Sequence, residues 1–272
     1  MKFQFNHKAY IGICLYFAAI LLITGCEKNT LRLSNTEDPS SGSFLKLGWF
    51  SPSINTQGVI LRVNGVALSN QIGFGFSSTS NYAMPYPGGG LNTGGDNKND
   101  YLSVPAGEVA VSLVIPKKGT AIDSIVVLAP TAIKTDAGKY YSFMVADSFP
   151  AVSSFLLNDD ASYADSGYFK LRFTNAIPNA GTVDFLLTNT RVTDSLVATG
   201  IDYKSSTGFI TLPYVTGAVS FKIRKTGTTT IYNATPYSTS SLTNKRVYSM
   251  VARGYVGATG TRAVTYSYIF NK

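Results

Sequence analysis

The segment Phe169-Lys170-Leu171-Arg172-Phe173-Thr174 alternates apolar and polar side chains without interruption. A second segment, Val219-Ser220-Phe221-Lys222-Ile223-Arg224, shows the same alternation. Because successive side chains of a strand point to opposite faces, a period of two predicts antiparallel strands with one face packed and the other in water. No long apolar pattern with the helical period of 3.6 occurs after residue 25. The body of the protein is therefore predicted to be all-β.

The first of these segments has a counterpart nearer the start of the chain. Leu45-Lys46-Leu47-Gly48-Trp49 aligns with residues 169 to 173 at an offset of 124 residues. Trp49 is in phase with Leu45 and Leu47, so we predict that it lies in the core rather than on a sugar-binding surface. This similarity indicates an internal repeat.

Later segments repeat as well, but at a smaller offset. Ala110-Val111-Ser112-Leu113 aligns with Ala218-Val219-Ser220-Phe221 at an offset of 108 residues. Clusters of Gly, Pro, Ser and Thr separate the short strands. We therefore predict two tandem β-sandwich domains at residues 44 to 158 and 166 to 272, joined by a linker at residues 159 to 165.

The pair Asn64-Gly65 separates Leu61-Arg62-Val63 from Val66-Ala67-Leu68. Both central residues of a type I′ turn need a positive φ, which Asn and Gly adopt most readily. These residues therefore predict a tight hairpin.

The first 25 residues are typical of a secretory leader. Lys2 and Lys8 precede an uncharged, mostly apolar run at residues 9 to 23, which is too short to span a bilayer comfortably. The run ends in Ile23-Thr24-Gly25-Cys26, which resembles the lipobox of bacterial lipoprotein precursors. This resemblance implies cleavage after Gly25, lipid attachment to Cys26 and an envelope location, most simply the outer membrane. Residues 26 to 43 are polar and are predicted to form a flexible tether.

Removal of the leader excludes several kinds of chemistry. His7 and Cys14 lie within it, so the mature chain would keep no histidine and no free thiol, and its formal charge would fall from +8 to +6. A Ser-His-Asp or Cys-His nucleophile and a histidine-bound zinc site cannot then be built. We expect no cofactor. The basic residues Lys222, Arg224 and Lys225 lie on the polar face of a strand and in the turn that follows it, which favours a solvated face over a nucleic-acid site.

The fall in offset from 124 to 108 predicts 16 extra residues between Val63 and Leu102 in the first copy. This surplus includes Tyr82, Met84 and Tyr86 among Gly, Asn and Ser, a composition that contact loops use. We predict that these three residues contact a ligand. The alternative is that the tyrosines pack on their own sandwich.

Two groups of acidic residues are candidate sites. Asp159, Asp160 and Asp165 could hold a calcium ion between the domains, although a solvated linker is the simpler interpretation. Asp184 and Asp202 could serve a carboxylate-dependent hydrolase of surface polysaccharide, but the alternation predicts that Asp184 points to solvent.

The whole pattern resembles a known family. Residues 169 to 185, a following Leu-Pro or Val-Pro step and an Ala-Val-Ser segment are similar to the DUF4397 family of bacterial surface proteins. The resemblance implies two copies of an immunoglobulin-like fold in the cell envelope and gives no activity. Asp136-Ala137-Gly138-Lys139-Tyr140 also resembles the tyrosine corner of such sandwiches, whereas Thr243-Asn244-Lys245-Arg246-Val247 differs from it.

These observations lead to one main hypothesis and two alternatives. The main hypothesis is a non-enzymatic envelope lipoprotein that is held to the membrane by lipid and binds a surface glycan or an envelope protein, with no role for nucleic acid. The alternatives are the polysaccharide hydrolase and a structural subunit of an envelope assembly.

Overall fold

The structure is a computed structural model, and it describes residues 41–51, 58–70, 72, 84–88, 90–91, 100–117, 123–147, 151–159, 162–233 and 235–272. Residues 38–272 form one compact unit, which contains all the strands of the described residues. Among these residues, no helix is long and apolar enough to cross a bilayer. The predictions for the leader, Gly25, Cys26 and most of the tether concern residues outside the described ranges. The predicted end of the tether at residue 43 was wrong, because the first strand already begins at Gly42.

The chain forms short strands throughout, as the alternation predicts. The strands that precede residue 160 are β1 (Gly42–Trp49), β2 (Ile60–Val63), β3 (Val66–Ala67), β4 (Met84–Tyr86), β5 (Gly90–Leu91), β6 (Leu102–Pro105), β7 (Gly107–Pro116), β8 (Asp123–Thr135), β9 (Tyr140–Ala146) and β10 (Ser153–Asn158). The strands that follow are β11 (Tyr168–Asn175), β12 (Val183–Thr188), β13 (Ser195–Ile201), β14 (Ser205–Ser206), β15 (Ile210–Pro213), β16 (Val219–Lys225), β17 (Ser238–Thr239), β18 (Val247–Arg253) and β19 (Thr265–Phe270). One 3-10 turn, Gly260–Arg262, precedes β19.

The strands form four sheets, which pair into two sandwiches. In the first sandwich, the sheet β10-β9-β1-β4, with β6 also on β1, faces the sheet β3-β2-β7-β8. In the second, the sheet β14-β11-β18-β19-β5, with β15 also on β11, faces the sheet β13-β12-β16-β17. The all-β prediction is confirmed. The pairing is antiparallel except that β1 runs parallel to β9 and β11 runs parallel to β18.

Each sandwich has its own apolar core. The first core contains Leu45, Leu47 and Trp49 of β1 together with residues of β2, β7 and β9. Trp49 is only 4% exposed, which confirms its predicted place in the core. The second core contains Phe173 and Phe221, whose ring centroids are 5.5 Å apart in an edge-to-face arrangement.

The strand pairings correct the register inferred from sequence. Leu45 pairs with Leu102 and Tyr141, and Leu171 pairs with Ile210 and Tyr248. Leu45 therefore corresponds to Leu171, at an offset of 126 rather than 124 residues, and the first sandwich has 18 extra residues before Leu102 rather than 16. The alignment error was two residues, and a shift of two leaves an alternating pattern unchanged.

The hairpin prediction is confirmed. Asn64 and Gly65 have φ values of 50° and 78°, and Val63 pairs directly with Val66 across the turn.

The tyrosine corner lies one residue later than predicted, and both sandwiches have one. In the first, the Tyr141 hydroxyl accepts a hydrogen bond from the Asp136 amide at 3.1 Å. In the second, the Tyr248 hydroxyl accepts one from the Thr243 amide, also at 3.1 Å. The prediction that the second copy differs was wrong, because backbone amides supply these bonds and residue 243 need not be acidic.

Candidate functional site

The segment that holds β4 and β5 pairs with both halves of the molecule. Strand β4 pairs with β1 of the first sandwich, with Met84 opposite Trp49. Strand β5 pairs with β19 of the second sandwich, with Leu91 opposite Tyr268. The backbone of this segment therefore connects the two sandwiches through strand pairing.

Strand β4 is not an insertion, because it pairs with β1 as β14 pairs with β11, with Pro85 opposite Gly48 and Ser206 opposite Thr174. The offset falls from 121 at β4 to 108 at β6, so the extra residues lie mainly between these two strands rather than around Met84 and Tyr86, where they were predicted.

Of the three predicted contact residues, Tyr86 has a described side chain. It is half-buried and packs against the first core, and this burial raises the pKa of its phenol. Tyr86 thus follows the alternative interpretation, in which a tyrosine packs on its own sandwich. Tyr82 lies outside the described residues, and the backbone of Met84 lies in β4.

The two sandwiches meet across a mixed apolar and polar surface. Its apolar part is a cluster of buried residues drawn from both sandwiches, namely Phe50, Met144, Ala146, Leu157, Ala176, Val251 and Ile269. Gly48 lets Met144 and Phe50 of the same sandwich pack against β1, because an added Cβ would lie 2.4 Å from the Met144 Sδ and 2.6 Å from the Phe50 ring.

The polar part, here called the inter-sandwich cluster, consists of Lys46, Tyr101, Ser142, Asp159, Arg172, Ser249 and Asn271. At its centre Arg172 Nη2 donates to Asp159 Oδ1 at 2.5 Å, and both side chains are almost fully buried. Arg172 Nη1 also donates to the Asn158 carbonyl at 2.7 Å. The other carboxylate oxygen of Asp159 accepts from the Tyr101 hydroxyl at 2.9 Å and from Ser142 Oγ at 2.5 Å.

Lys46 has a matching place in the cluster. It is fully buried, its Nζ donates to the Phe270 carbonyl at 2.8 Å, and it lies 4.3 Å from the centre of the Tyr101 ring. Arg172 lies 4.7 Å from the centre of the Phe209 ring. In the corrected register Lys46 corresponds to Arg172, so each sandwich sends one cation to a backbone carbonyl of the other.

Burial also fixes the protonation of Tyr101. Burial, and next the nearby Asp159 carboxylate, raise the pKa of the Tyr101 phenol well above its usual range. Tyr101 therefore remains a donor to Asp159 at neutral pH.

The cluster overturns two expectations. The polar faces of β1 and β11 were predicted to meet water, but Lys46 and Arg172 are buried because the other sandwich covers them. Asp159 was expected in a solvated linker, but it is 5% exposed and satisfied by Arg172, Tyr101 and Ser142.

The calcium candidate has little described geometry. Asp165 is exposed, and Asp160 lies outside the described residues. Within the part of the chain that the structure describes, no three His, Cys, Asp or Glu side chains gather as metal ligands would.

Asp184 was predicted to point to solvent, and this was wrong. It is 1% exposed and accepts hydrogen bonds from Arg224 Nη2 at 2.8 Å and from the hydroxyls of Thr199 and Thr226, each at 2.8 Å. Burial alone would raise the pKa of Asp184, but these bonds outweigh it and lower the pKa to about 2. An ionised carboxylate so fully engaged holds strands together and is poorly suited to donate a proton. Asp202 is exposed.

This geometry predicts a specific acid sensitivity. Because the pKa of Asp184 is lower in the folded chain than in the unfolded one, its stabilising effect is present above about pH 4 and disappears as the pH falls through about 2. The loss should be about 2 kcal/mol of unfolding free energy. Urea unfolding between pH 2 and 5 checks this, with Asp184→Asn as the control that should lack this part of the pH dependence. If the free energy of unfolding fell equally steeply with pH in both proteins, the prediction would be contradicted.

Two of the three basic residues of β16, Lys222 and Arg224, are held in ion pairs. Lys222 lies 2.6 Å from an Asp194 carboxylate oxygen and is about one-third exposed, and Arg224 pairs with Asp184. These contacts fit the interpretation of a solvated strand face.

The inter-sandwich cluster was not predicted from the sequence. The sequence does contain a sign of the cluster. A cation lies at the same position of β1 and β11, and a serine lies at the same position of β9 and β18. The offset of 124 hid it, because it placed Arg172 opposite Gly48.

Comparison with known proteins gives a family for part of the chain. No curated protein matches the chain significantly. A solved structure described as "Alpha-glucan binding by a streptococcal virulence factor" is similar at 9% identity and a TM-score of 0.25, over 82% of this chain and 96% of that one. The family model described as "Domain of unknown function (DUF4397)" matches residues 94–186, which include Tyr101, Asp159 and Arg172 of the inter-sandwich cluster. The chain therefore contains a DUF4397 domain at residues 94–186.

Proposed function

We propose that the protein is a non-enzymatic envelope lipoprotein that carries two DUF4397-like domains as one rigid binding unit. Cys26 carries the lipid, residues 26 to 41 form the tether, and the segment around Tyr82 to Tyr86 contacts a surface glycan or an envelope protein. The single observation that carries this proposal is the contact between the sandwiches. Buried Lys46 and Arg172 each reach a backbone carbonyl of the other sandwich, and Arg172 also forms a buried ion pair with Asp159. The segment that holds β4 and β5 pairs with a strand of each sandwich.

Rigidity favours a binding or scaffolding role over a hinged one. Interfaces between domains that move are typically modest and wet, whereas this one has an apolar cluster beside the ion pair. The described buried carboxylates, Asp159 and Asp184, are occupied by arginine and hydroxyl donors. This supports a role for them in the fold rather than in hydrolysis.

One fractionation experiment tests the proposal. The wild-type chain is expressed in a bacterial host, cross-linked in intact cells and purified from membranes, and the captured protein and glycan are identified by mass spectrometry. We expect wild type in the membrane fraction with a captured partner, Cys26→Ala in the soluble fraction, and Tyr82→Ala in the membrane without the partner. Tyr82 is chosen for the substitution rather than Tyr86. Tyr86 packs against the core, so replacing Tyr86 could lower stability as well as binding.

The outcomes separate the parts of the proposal. Membrane retention of Cys26→Ala would contradict the anchor. Unchanged capture by Tyr82→Ala would contradict the contact segment.

A further inference from the structure

One surface of the second sandwich combines exposed tyrosines with cations. It lies where β11 begins, beside the turn that precedes β18, and consists of Tyr163, Tyr168, Lys170, Lys245 and Arg246, here called the basic tyrosine face. Backbone hydrogen bonds hold it together, since the Lys245 amide donates to the Tyr168 carbonyl at 2.7 Å and the Lys170 amide donates to the Arg246 carbonyl at 2.9 Å. Tyr163 is 54% exposed and Tyr168 is 42% exposed.

The first sandwich has the same backbone at this place without the same side chains. There the Gly138 amide donates to the Gly42 carbonyl at 2.7 Å, and the Phe44 amide donates to the Lys139 carbonyl at 2.9 Å. Gly42, Phe44, Gly138 and Lys139 thus correspond to Tyr168, Lys170, Lys245 and Arg246. The second sandwich has three cations where the first has one.

Lys245 is the most informative of these residues. Its φ is 65°, in the left-handed region, where the corresponding residue of the first sandwich is Gly138 with a φ of 71°. A side chain costs roughly 1 kcal/mol in this conformation, whereas glycine adopts it freely. The fold would therefore be at least as stable with glycine at position 245. What lysine adds there is an exposed positive charge.

The other groups of the face are held in position. Lys170 Nζ donates to the Ser162 hydroxyl at 2.7 Å and to the Ser162 carbonyl at 3.1 Å. Lys272 Nζ lies 5.3 Å from the centre of the Tyr163 ring, and the Arg246 guanidinium lies 5.2 Å from that of Phe270. Asp165 is exposed and lies close to Tyr168, whose amide donates to the Asp165 carbonyl. Its single negative charge does not balance the cations, so the face keeps an excess of positive charge.

We propose that the basic tyrosine face binds an acidic polysaccharide, with Lys170, Lys245 and Arg246 contacting its acid groups and Tyr163 and Tyr168 stacking on its sugar rings. Fixed cations beside flat amphipathic rings suit a polymer that presents charge and ring faces at regular intervals. A membrane surface requires only cation density and inserted apolar side chains and makes no use of cations at fixed positions, whereas Lys170 and Arg246 are held in place here. The inference goes beyond the proposed function, since it involves neither Cys26 nor Tyr82.

Residues 38–272, the compact unit, are the protein for the test. Binding is measured by isothermal titration calorimetry and co-sedimentation with polygalacturonate, dextran sulfate and neutral dextran, in low and in high salt. We expect binding to at least one acidic polymer, weaker binding in high salt, and no binding to dextran. Lys245→Gly should weaken it about two- to fivefold, and Lys170→Ala with Lys245→Gly and Arg246→Ala by about tenfold or more.

Two controls make the result specific. Lys134→Ala removes the same charge from an exposed position of the first sandwich and should leave affinity unchanged. Thermal melting of Lys245→Gly should give a Tm equal to or above that of wild type, which separates lost binding from lost folding. Tyr168→Ala should weaken binding in high salt as well, because stacking is not screened.

Three results would overturn the proposal. The first is that the protein binds neither acidic polymer, and the second is that Lys134→Ala and Lys245→Gly lose equal affinity. The third is that the protein binds phosphatidylglycerol vesicles in a way that depends on Lys245 but does not bind the polymers. The last would assign the face to a membrane surface. None depends on whether the proposed anchor or contact segment is correct.

Discussion

Replacing Arg172 by alanine should lower the free energy of unfolding by about 3–5 kcal/mol, because it leaves the Asp159 carboxylate buried without a countercharge. Arg172 and Asp159 have side-chain exposures of 3% and 0%, so water cannot replace the lost partner without opening the contact between the sandwiches. Urea unfolding followed by circular dichroism measures the effect.

Two comparisons make this result specific to the buried pair. Lys222→Ala breaks the Lys222–Asp194 pair, which is about one-third exposed, and should cost at most about 1 kcal/mol. Changing both buried partners, as Arg172→Met with Asp159→Leu, should recover much of the loss, because no lone charge remains. A loss below about 1 kcal/mol in Arg172→Ala would show that solvent reaches Asp159.

Gly254→Ala should also lower the free energy of unfolding, by about 3 kcal/mol or more, but for a different reason. Gly254 has a φ of 105°, and an added Cβ would lie 2.4 Å from the Ala263 carbonyl oxygen and 2.9 Å from that of Arg262. Both atoms are backbone and cannot turn aside as a flexible side chain would. Thermal and urea unfolding measure the loss.

Gly257→Ala is the matched control for this prediction. Gly257 also has a positive φ, of 85°, but an added Cβ would meet nothing within 4 Å. It should therefore cost only the conformational strain of about 1–2 kcal/mol. Equal losses in the two variants would show that strain, rather than the backbone clash, is the main cost at position 254.

The parts of the fold that local chemistry determines were predictable. Alternation at residues 169 to 174 and 219 to 224 placed β11 and β16, and the need for positive φ at Asn64 and Gly65 placed the hairpin. These features depend on neighbouring residues alone.

The parts that depend on distant packing were not predictable in the same way. An alternating strand shows that its two faces differ, but not whether the polar face meets water or another sandwich. Lys46 and Arg172 therefore seemed solvated, and Asp184 seemed solvated because its partner Arg224 lies on a strand 40 residues away. The register error came from the same source, since only strand pairing distinguishes offsets of 124 and 126.

The candidate sites were partly predictable. Sequence comparison showed that the first copy has extra residues, because an insertion changes the offset between copies, but it placed them around Tyr86 rather than in the segment after β4, which contains β5. It did not predict that this segment pairs with β19, since Leu91 and Tyr268 are far apart in the chain. The basic tyrosine face is visible only when the second sandwich is superposed on the first through their shared hydrogen bonds.

The pairing of β5 with β19 also sets the order in which the molecule can mature. Gly90 and Leu91 pair with Ile269 and Tyr268, which belong to the last strand of the second sandwich, and Lys46 reaches the carbonyl of Phe270. A nascent chain emerges with its amino terminus first, so these early residues must wait until β19 has been synthesised. The contact between the two sandwiches can therefore be completed only late, after β19 has been made. A chain stopped before residue 268 would leave Lys46 and β5 without these partners.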